Sequence, residues 1–238
     1  MTLEIFILIT TMAAIQASFQ LSVSMMTVMS GHALSKKTAN RRLLSLLSSF
    51  TLGAMTMIAL VLSFVAVIYT NVVPEMTPAL WSALSGLMAG IGVAVWLFYY
   101  RHKTAGTVLW IPRPMAKYLS DRAKATKITP EAYGLGLVSV VAEIVFSVAP
   151  ILVTAALLIN LDTPVQLAGL LLYTVLASLP LFVIVVLVGS GHSLARIQRW
   201  REQNKRFLQF IAGSALIVVG VYLYVTMVVS PLSMGVEL

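Results

Sequence analysis

The stretch AYGLGLVSVVAEIVFSVAPILVTAALLI, residues 132–159, has the length of a membrane span and only one charged side chain, Glu143. An α-helix rises about 1.5 Å per residue, so roughly 20 apolar residues cross the hydrocarbon of a bilayer. Glu143 therefore falls near the middle of the bilayer. Insertion of a carboxylate at that depth costs about 2.5 kcal/mol or more, so we expect it to face the protein interior or a wet cavity.

Three further residues share a helical stripe with Glu143: Ser139, Ser147 and Pro150. Pro150 has no backbone N–H, so the sequence predicts an interrupted hydrogen-bond ladder near Phe146. The stripe would then hold a carboxyl group, two hydroxyls and a freed carbonyl. We interpret it as the candidate site for a substrate or a coupling ion.

The composition places this stripe in a polytopic membrane protein. Hydrophobic residues make up 59% of the 238 residues, charged residues only 10%, and the mean hydropathy is +0.95. A soluble domain of this size cannot bury so much apolar surface. The net charge of +8 does not indicate nucleic-acid binding, since the basic residues lie in short loops between apolar segments. The chain has no cysteine, which excludes disulfides, thiolate metal sites and thiol redox chemistry.

Six spans are predicted, at residues 3–29, 43–69, 80–100, 132–159, 165–188 and 207–229. The N-terminus lacks a basic region and a small-residue cleavage site, so we expect the first span to be retained. All 16 Lys and Arg residues fall in the first, third and fifth connecting loops. The positive-inside rule then places these loops in the cytoplasm and both termini outside it.

The first span carries two glutamines one helical turn apart, Gln16 and Gln20. One interpretation is hydrogen bonding between helices, since amide side chains hold membrane bundles together. The other is that both glutamines line a polar route with Glu143. The sequence leaves both open.

Glycine and proline predict how other spans pack and bend. Pro180 predicts a kink in the fifth span. Small residues predict close helix packing in the second, third and sixth spans, at Gly53, Gly86, Gly90, Gly92, Gly213 and Gly220.

The predicted spans form two triplets of opposite orientation, residues 1–100 and 132–238, joined by a basic segment, residues 101–131. This segment mixes aromatic and aliphatic side chains with Lys and Arg, which is typical of an amphipathic helix on an anionic membrane surface. An arm that closes the cytoplasmic mouth is the alternative. Within it, Thr129 is predicted as the cap of the next helix. Inverted repeats with a site at their interface are a common plan of secondary transporters.

Three motifs resemble the LysE-type exporter superfamily, which includes the membrane domains of the CcdA and DsbD thiol-electron carriers. They are Phe146-Ser-Val-Ala-Pro150, Leu179-Pro180-Leu-Phe182 and the glycine-bearing last span at residues 213–224. The resemblance implies six spans in two inverted repeats, and export of amino acids or metal ions. The electron carriers need one cysteine in each half, so their reaction is excluded here.

The sequence thus predicts a small secondary transporter, an exporter of an amino acid or a cation. Its site would lie between spans one and four, at Glu143, Gln16, Gln20, Ser139, Ser147 and Pro150. The alternative is a non-transporting assembly or scaffold subunit. No enzymatic activity is expected, because no second acid or histidine lies near the middle of a span; no cofactor and no bound metal are expected either.

The expected partners are the lipid bilayer and a small solute or ion, without nucleic acid, and homo-oligomerisation is left open. The expected location is the cytoplasmic membrane of a prokaryote, with several passes and both termini outside.

Overall fold

A computed structural model describes residues 2–19, 26, 29, 37–73, 76–100, 113–190 and 194–233; within them the chain is helical, with no strand. The helices, in chain order, are α1 (Thr2–Ser18), α2 (Lys37–Val72), α3 (Pro78–Ala94), α4 (Arg113–Ala125), α5 (Thr129–Ala142), α6 (Ile144–Leu158), α7 (Thr163–Ala177), α8 (Leu179–Gly189) and α9 (Leu194–Tyr224). Two continue as π-helical turns, α3 through Val95–Tyr100 and α9 through Val225–Val229, and Ser230–Ser233 is a short last helix.

Among the described residues, three helical segments are long and apolar enough to cross a membrane: Arg41–Val72, Pro78–Phe98 and Phe210–Val229. The number rises to five if α5 with α6, and α7 with α8, each count as one bent span. A shorter apolar helix covers Leu3–Ser18. The prediction of an all-helical protein is therefore confirmed, and these helices are compatible with a multi-pass membrane protein.

The two bent pairs have different relations to their prolines. The α7–α8 pair bends by 51° at Ser178, two residues before Pro180, as the sequence predicted. The α5–α6 pair bends by 80° at Glu143, whereas α6 continues through Pro150. The missing N–H of Pro150 interrupts the hydrogen-bond ladder, as the sequence predicted, but it does not end the helix. The loss of one N–H donor is tolerated inside α6, and the larger break lies seven residues earlier.

Helices α2 and α5 pack closely enough for their backbones to touch. A Cβ atom added at Gly53 would lie 2.1 Å from the Tyr133 carbonyl oxygen, and one at Gly136 would lie 2.1 Å from the Phe50 carbonyl oxygen. Only glycine permits this separation, so the two glycines fix α2 against α5.

Helices α3 and α9 form a second close pair. A Cβ added at Gly92 would lie 2.7 Å from the Gly213 carbonyl oxygen, and one added at Gly220 would lie 2.9 Å from the Ser85 carbonyl oxygen. Gly86 and Gly90 face open space instead, with nothing within 4 Å of an added Cβ. The predicted packing role is wrong for these two and confirmed for Gly92.

Extensive contacts join the first three long helices to the later ones rather than to each other. Helix α2 packs on α5, α6, α7 and α8, α1 packs on α6, α7 and α9, and α3 packs on α6 and α9. Among the described residues, no extensive contact joins α1, α2 and α3 to one another. The helices before residue 101 are thus interlocked with those after residue 131.

The predicted amphipathic helix is α4, and it packs against α5. Its Leu119 is fully buried and Ala123 almost so, which turns this apolar face toward protein. The loop that follows is tied to α2, because Arg42 donates to the Lys127 carbonyl (2.8 Å) and Ser49 donates to the Thr129 carbonyl (2.8 Å). Helix α5 then starts with Ile128 as its N-cap, so the prediction of Thr129 as the cap is wrong by one residue.

Candidate functional site

Glu143 forms the break between α5 and α6. Its φ of −90° and ψ of 0° lie in the sparsely populated bridge region, where active-site residues are often found. Its carbonyl oxygen accepts the backbone N–H groups of Phe146 (3.0 Å) and Ser147 (3.2 Å). The bend is therefore held by hydrogen bonds that start α6 directly at the acidic residue.

The side chains of the predicted stripe are all turned into the protein. Glu143 is 5% exposed, and Ser139, Ser147 and Pro150 are also buried. The expectation that Glu143 faces a protein interior rather than lipid is confirmed by this burial. An ionisable side chain buried at a helix break between apolar helices is a candidate functional group.

The two serine hydroxyls of the stripe bond to backbone carbonyls of their own span. Ser139 Oγ donates to the Gly136 carbonyl (2.7 Å), and Ser147 Oγ donates to the Glu143 carbonyl (3.2 Å). Ser147 thereby adds a third donor to the carbonyl at the break.

Helix α1 brings Gln16 into the core, and Gln20 lies outside the described residues. Gln16 is 3% exposed, and its side-chain carbonyl accepts a hydrogen bond from the hydroxyl of the fully buried Tyr173 on α7. This bond joins α1 to α7. It has the form that the helix-packing interpretation of Gln16 predicts.

An aromatic contact places the end of α1 beside the start of α6. The rings of Phe19 and Phe146 stack with their centroids 5.1 Å apart and their planes 13° from parallel. Phe19 lies three residues after Gln16, and Phe146 lies three residues after Glu143. The end of α1 and the start of α6 therefore meet close to the buried side chains of Gln16 and Glu143.

Some buried polar residues were missed by sequence reasoning. Tyr173 lies near the middle of the fifth span, far from the interfaces where tyrosine is usually found, and this position was an available signal. Within the described part of the chain, the hydroxyls of Ser85, Thr154 and Ser178 are buried without a hydrogen-bond partner. Ser178 is the residue at the second break. Single hydroxyls in apolar spans give little warning of this role.

No group of three or more His, Cys, Asp or Glu residues that could hold a metal ion occurs in the described parts of the chain. No protein-family model, no curated protein and no solved structure matches the chain. The resemblance to the LysE-type exporters stays a prediction.

Proposed function

We propose that the protein is a small secondary transporter that exports a small cation or an amino acid. The observation that carries the proposal is Glu143, a buried carboxyl group at an 80° break within a pair of apolar helices. Discontinuous helices with charged or polar groups at the break commonly form ion and substrate sites in secondary transporters. The binding site would lie between spans one and four, near the Phe19–Phe146 contact.

The proposed architecture is six spans in two inverted triplets, with 101–131 as the joining segment between 1–100 and 132–238. The pattern of helix contacts supports it. An inverted repeat exchanges spans one, two and three with four, five and six, so the packing of α2 on α5 should recur as the packing of α7 on α1. Both contacts are present, and the α3–α9 contact is its own counterpart.

The proposed orientation has both termini outside the cytoplasm of a prokaryote, because all 16 basic residues lie in the three segments that join the predicted spans on one side. Membership of the LysE-type superfamily is part of the same proposal, and it rests on the three motifs alone.

The chemistry of the stripe favours a positively charged solute. Glu143 carries a carboxyl group, and the hydroxyl protons of Ser139 and Ser147 are already donated to backbone carbonyls. A carboxylate binds ammonium groups and hard cations better than anions. An amino acid would bind here through its ammonium group.

The interlocked triplets favour movement at the helix breaks over rocking of one triplet against the other. Such rocking would pull apart the α2–α5 and α3–α9 backbone contacts. The breaks at Glu143 and Ser178 can change their angle while these close contacts persist, and hinge residues at element ends typically absorb such changes.

The test uses single cysteines, since the chain has none of its own. Positions 16, 139, 143 and 147 would be treated with a small water-soluble thiol reagent added from either side of the membrane. A transporter predicts labelling that changes side with pH or with an imposed proton gradient. Cysteine at position 52, which is exposed toward the lipid on α2, is the control for reagent that partitions into the bilayer.

A flux measurement tests the role of Glu143 directly. Proteoliposomes with a trapped pH-sensitive dye would be challenged with K⁺, Mg²⁺ and lysine in turn. Glu143→Gln should abolish any proton flux that wild-type protein shows. Unchanged flux in this variant would remove Glu143 from the coupling role.

The second candidate is a membrane assembly or scaffold subunit, and the Gln16–Tyr173 hydrogen bond favours it. In that case Glu143 would be a structural polar group, and the stripe would be dry. Absence of labelling from both sides at all four positions would support this candidate over the transporter.

A further inference from the structure

A cavity of about 270 Å³ lies between α4 and α5, away from Glu143. Its rim is polar and contains Tyr118, Arg122, Thr126 and Glu131. Its floor is apolar and includes Leu135. The transporter proposal uses none of these residues.

The rim carries one positive and one negative side chain. The Arg122 guanidinium lies 5.6 Å from the centroid of the Tyr118 ring, and its Nε donates to the Tyr118 hydroxyl (3.3 Å). Glu131 accepts the backbone N–H of Lys127 through one carboxylate oxygen (3.2 Å). Arg122 and Glu131 are exposed, so both can reach a ligand, and their surroundings hold them at the rim.

The floor runs along α5 toward the centre of the predicted span. From Glu131 to Val138 the helix advances about 10 Å. Below the cavity, the exposed Val141 follows Val138 at helical spacing on the same face of α5. A ligand therefore meets charge at one end and an apolar helix face beyond it.

We propose that this cavity binds a phospholipid whose headgroup joins a phosphate to a primary ammonium, as in phosphatidylethanolamine. Arg122 binds the phosphate, because guanidinium groups match phosphate oxygens in charge and geometry. Glu131 accepts hydrogen bonds from the ammonium. An acyl chain follows Val138 and Val141 along α5. The loop bonds from Arg42 and Ser49 hold the rim in place.

The charge pair selects this headgroup among common phospholipids. A choline headgroup has no N–H to donate to Glu131, and a glycerol headgroup brings a net negative charge without an ammonium. The lipid would join the α4 segment to the first span of the second triplet.

The experiment is native mass spectrometry of the full-length protein, purified in detergent and titrated with dioleoyl phosphatidylethanolamine, phosphatidylcholine or phosphatidylglycerol. We expect the ethanolamine lipid to bind more tightly than the other two, by roughly tenfold, as for one charge-assisted hydrogen bond. Equal binding of the three lipids would overturn the proposal.

Charge variants test the two ends of the headgroup. Arg122→Gln should weaken binding of all three lipids, and Glu131→Gln should reduce the ethanolamine lipid to the level of the choline lipid. Lys124→Gln and Asp121→Asn remove the same charges from exposed positions of α4 outside the cavity lining, and are the matched controls. Equal effects of the Arg122 and Lys124 variants would mean nonspecific charge attraction, and would overturn the site.

A third variant tests the cavity without changing charge. Gly134 lines it, and an added Cβ there meets nothing within 4 Å. Gly134→Leu should fill the space and block lipid binding while the protein stays folded, because leucine favours a helix more than glycine does. Gly86→Leu, at an equally open position on α3, should bind lipid normally. Normal binding by Gly134→Leu would overturn the proposal.

Soluble O-phosphoethanolamine separates a lipid site from a site for the free headgroup. It should not displace the bound lipid at matched concentration, since it lacks the acyl chain. Complete displacement would assign the cavity to a soluble phosphate compound and overturn the lipid proposal.

Discussion

Gly134 and Gly136 stand two residues apart on α5 and have opposite surroundings. An added Cβ at Gly136 would lie 2.1 Å from the Phe50 carbonyl oxygen, whereas one at Gly134 meets nothing within 4 Å. The obstacle at Gly136 is backbone, which cannot rotate away as a side chain can. The same substitution should therefore have opposite effects at the two positions.

We expect Gly136→Ala to destabilise the protein by about 1–3 kcal/mol, as overpacking does in close cores. Gly134→Ala should be neutral or stabilising by up to about 1 kcal/mol, from helix propensity alone. Unfolding in mixed detergent micelles, followed by circular dichroism, measures both. Equal stability of the two variants would contradict the α2–α5 backbone contact.

The Gln16–Tyr173 bond is the other residue-scale feature with a measurable energy. Tyr173→Phe leaves the Gln16 carbonyl buried without this donor, so we expect a loss of about 0.5–2 kcal/mol. A double-mutant cycle with Gln16→Met isolates the pair energy. Tyr222→Phe, at an exposed position of α9, is the control and should change little. A coupling energy near zero would show that the bond contributes nothing to stability.

The elements best predicted from the sequence are those whose signals are local. The length of the apolar segments predicted the helices of the second, third and sixth spans, and Pro180 predicted the bend of the fifth. The sequence predicted a missing hydrogen bond at Pro150 but not the bend at Glu143, because proline has a known local effect and a glutamate gives no local signal of a helix break. The spacing of the glycines likewise does not indicate that Gly92 faces α9 whereas Gly90 faces open space.

The bend itself gives an element-scale prediction. Arms of 14 and 15 residues would extend about 44 Å if collinear, and extend about 33 Å when bent by 80°. Spin labels on cysteines at positions 128 and 160 report this difference by pulsed electron resonance. Pro150→Ala should leave the short distance unchanged, since the bend is at Glu143. If the distance between the labels were about 10 Å longer in this variant, the bend would depend on Pro150 instead.

In the described part of the whole molecule, the extensive contacts of α1, α2 and α3 with other helices are made with those after residue 131. Candidate site residues follow the same rule, since Gln16 and Phe19 meet partners from residues 132–238. The sequence predicted that spans one and four meet, by analogy with other inverted repeats. It could not predict the interlocking, because helix partners depend on side-chain surfaces that one sequence does not reveal.

We therefore expect the chain to tolerate a cut between residues 105 and 106 only when both pieces are made together. The co-expressed pieces should purify as one complex, because glycine-mediated contacts join them. Each piece alone should be degraded or aggregate. A stable, monodisperse piece made alone would contradict the interlocked packing, and the uncut chain is the reference for yield.

The close pairing of α3 with α9 also bears on how the protein is made. A ribosome that adds about 5–20 residues per second needs about 6–26 s to go from Gly92 to Gly220, 128 positions later. During this interval the membrane would hold α3 with its packing face uncovered by its final partner. The cell's insertion machinery must shield that face or keep it near the growing chain until α9 has been synthesised. The position of Gly220 therefore sets how long α3 stays without its packing partner during synthesis.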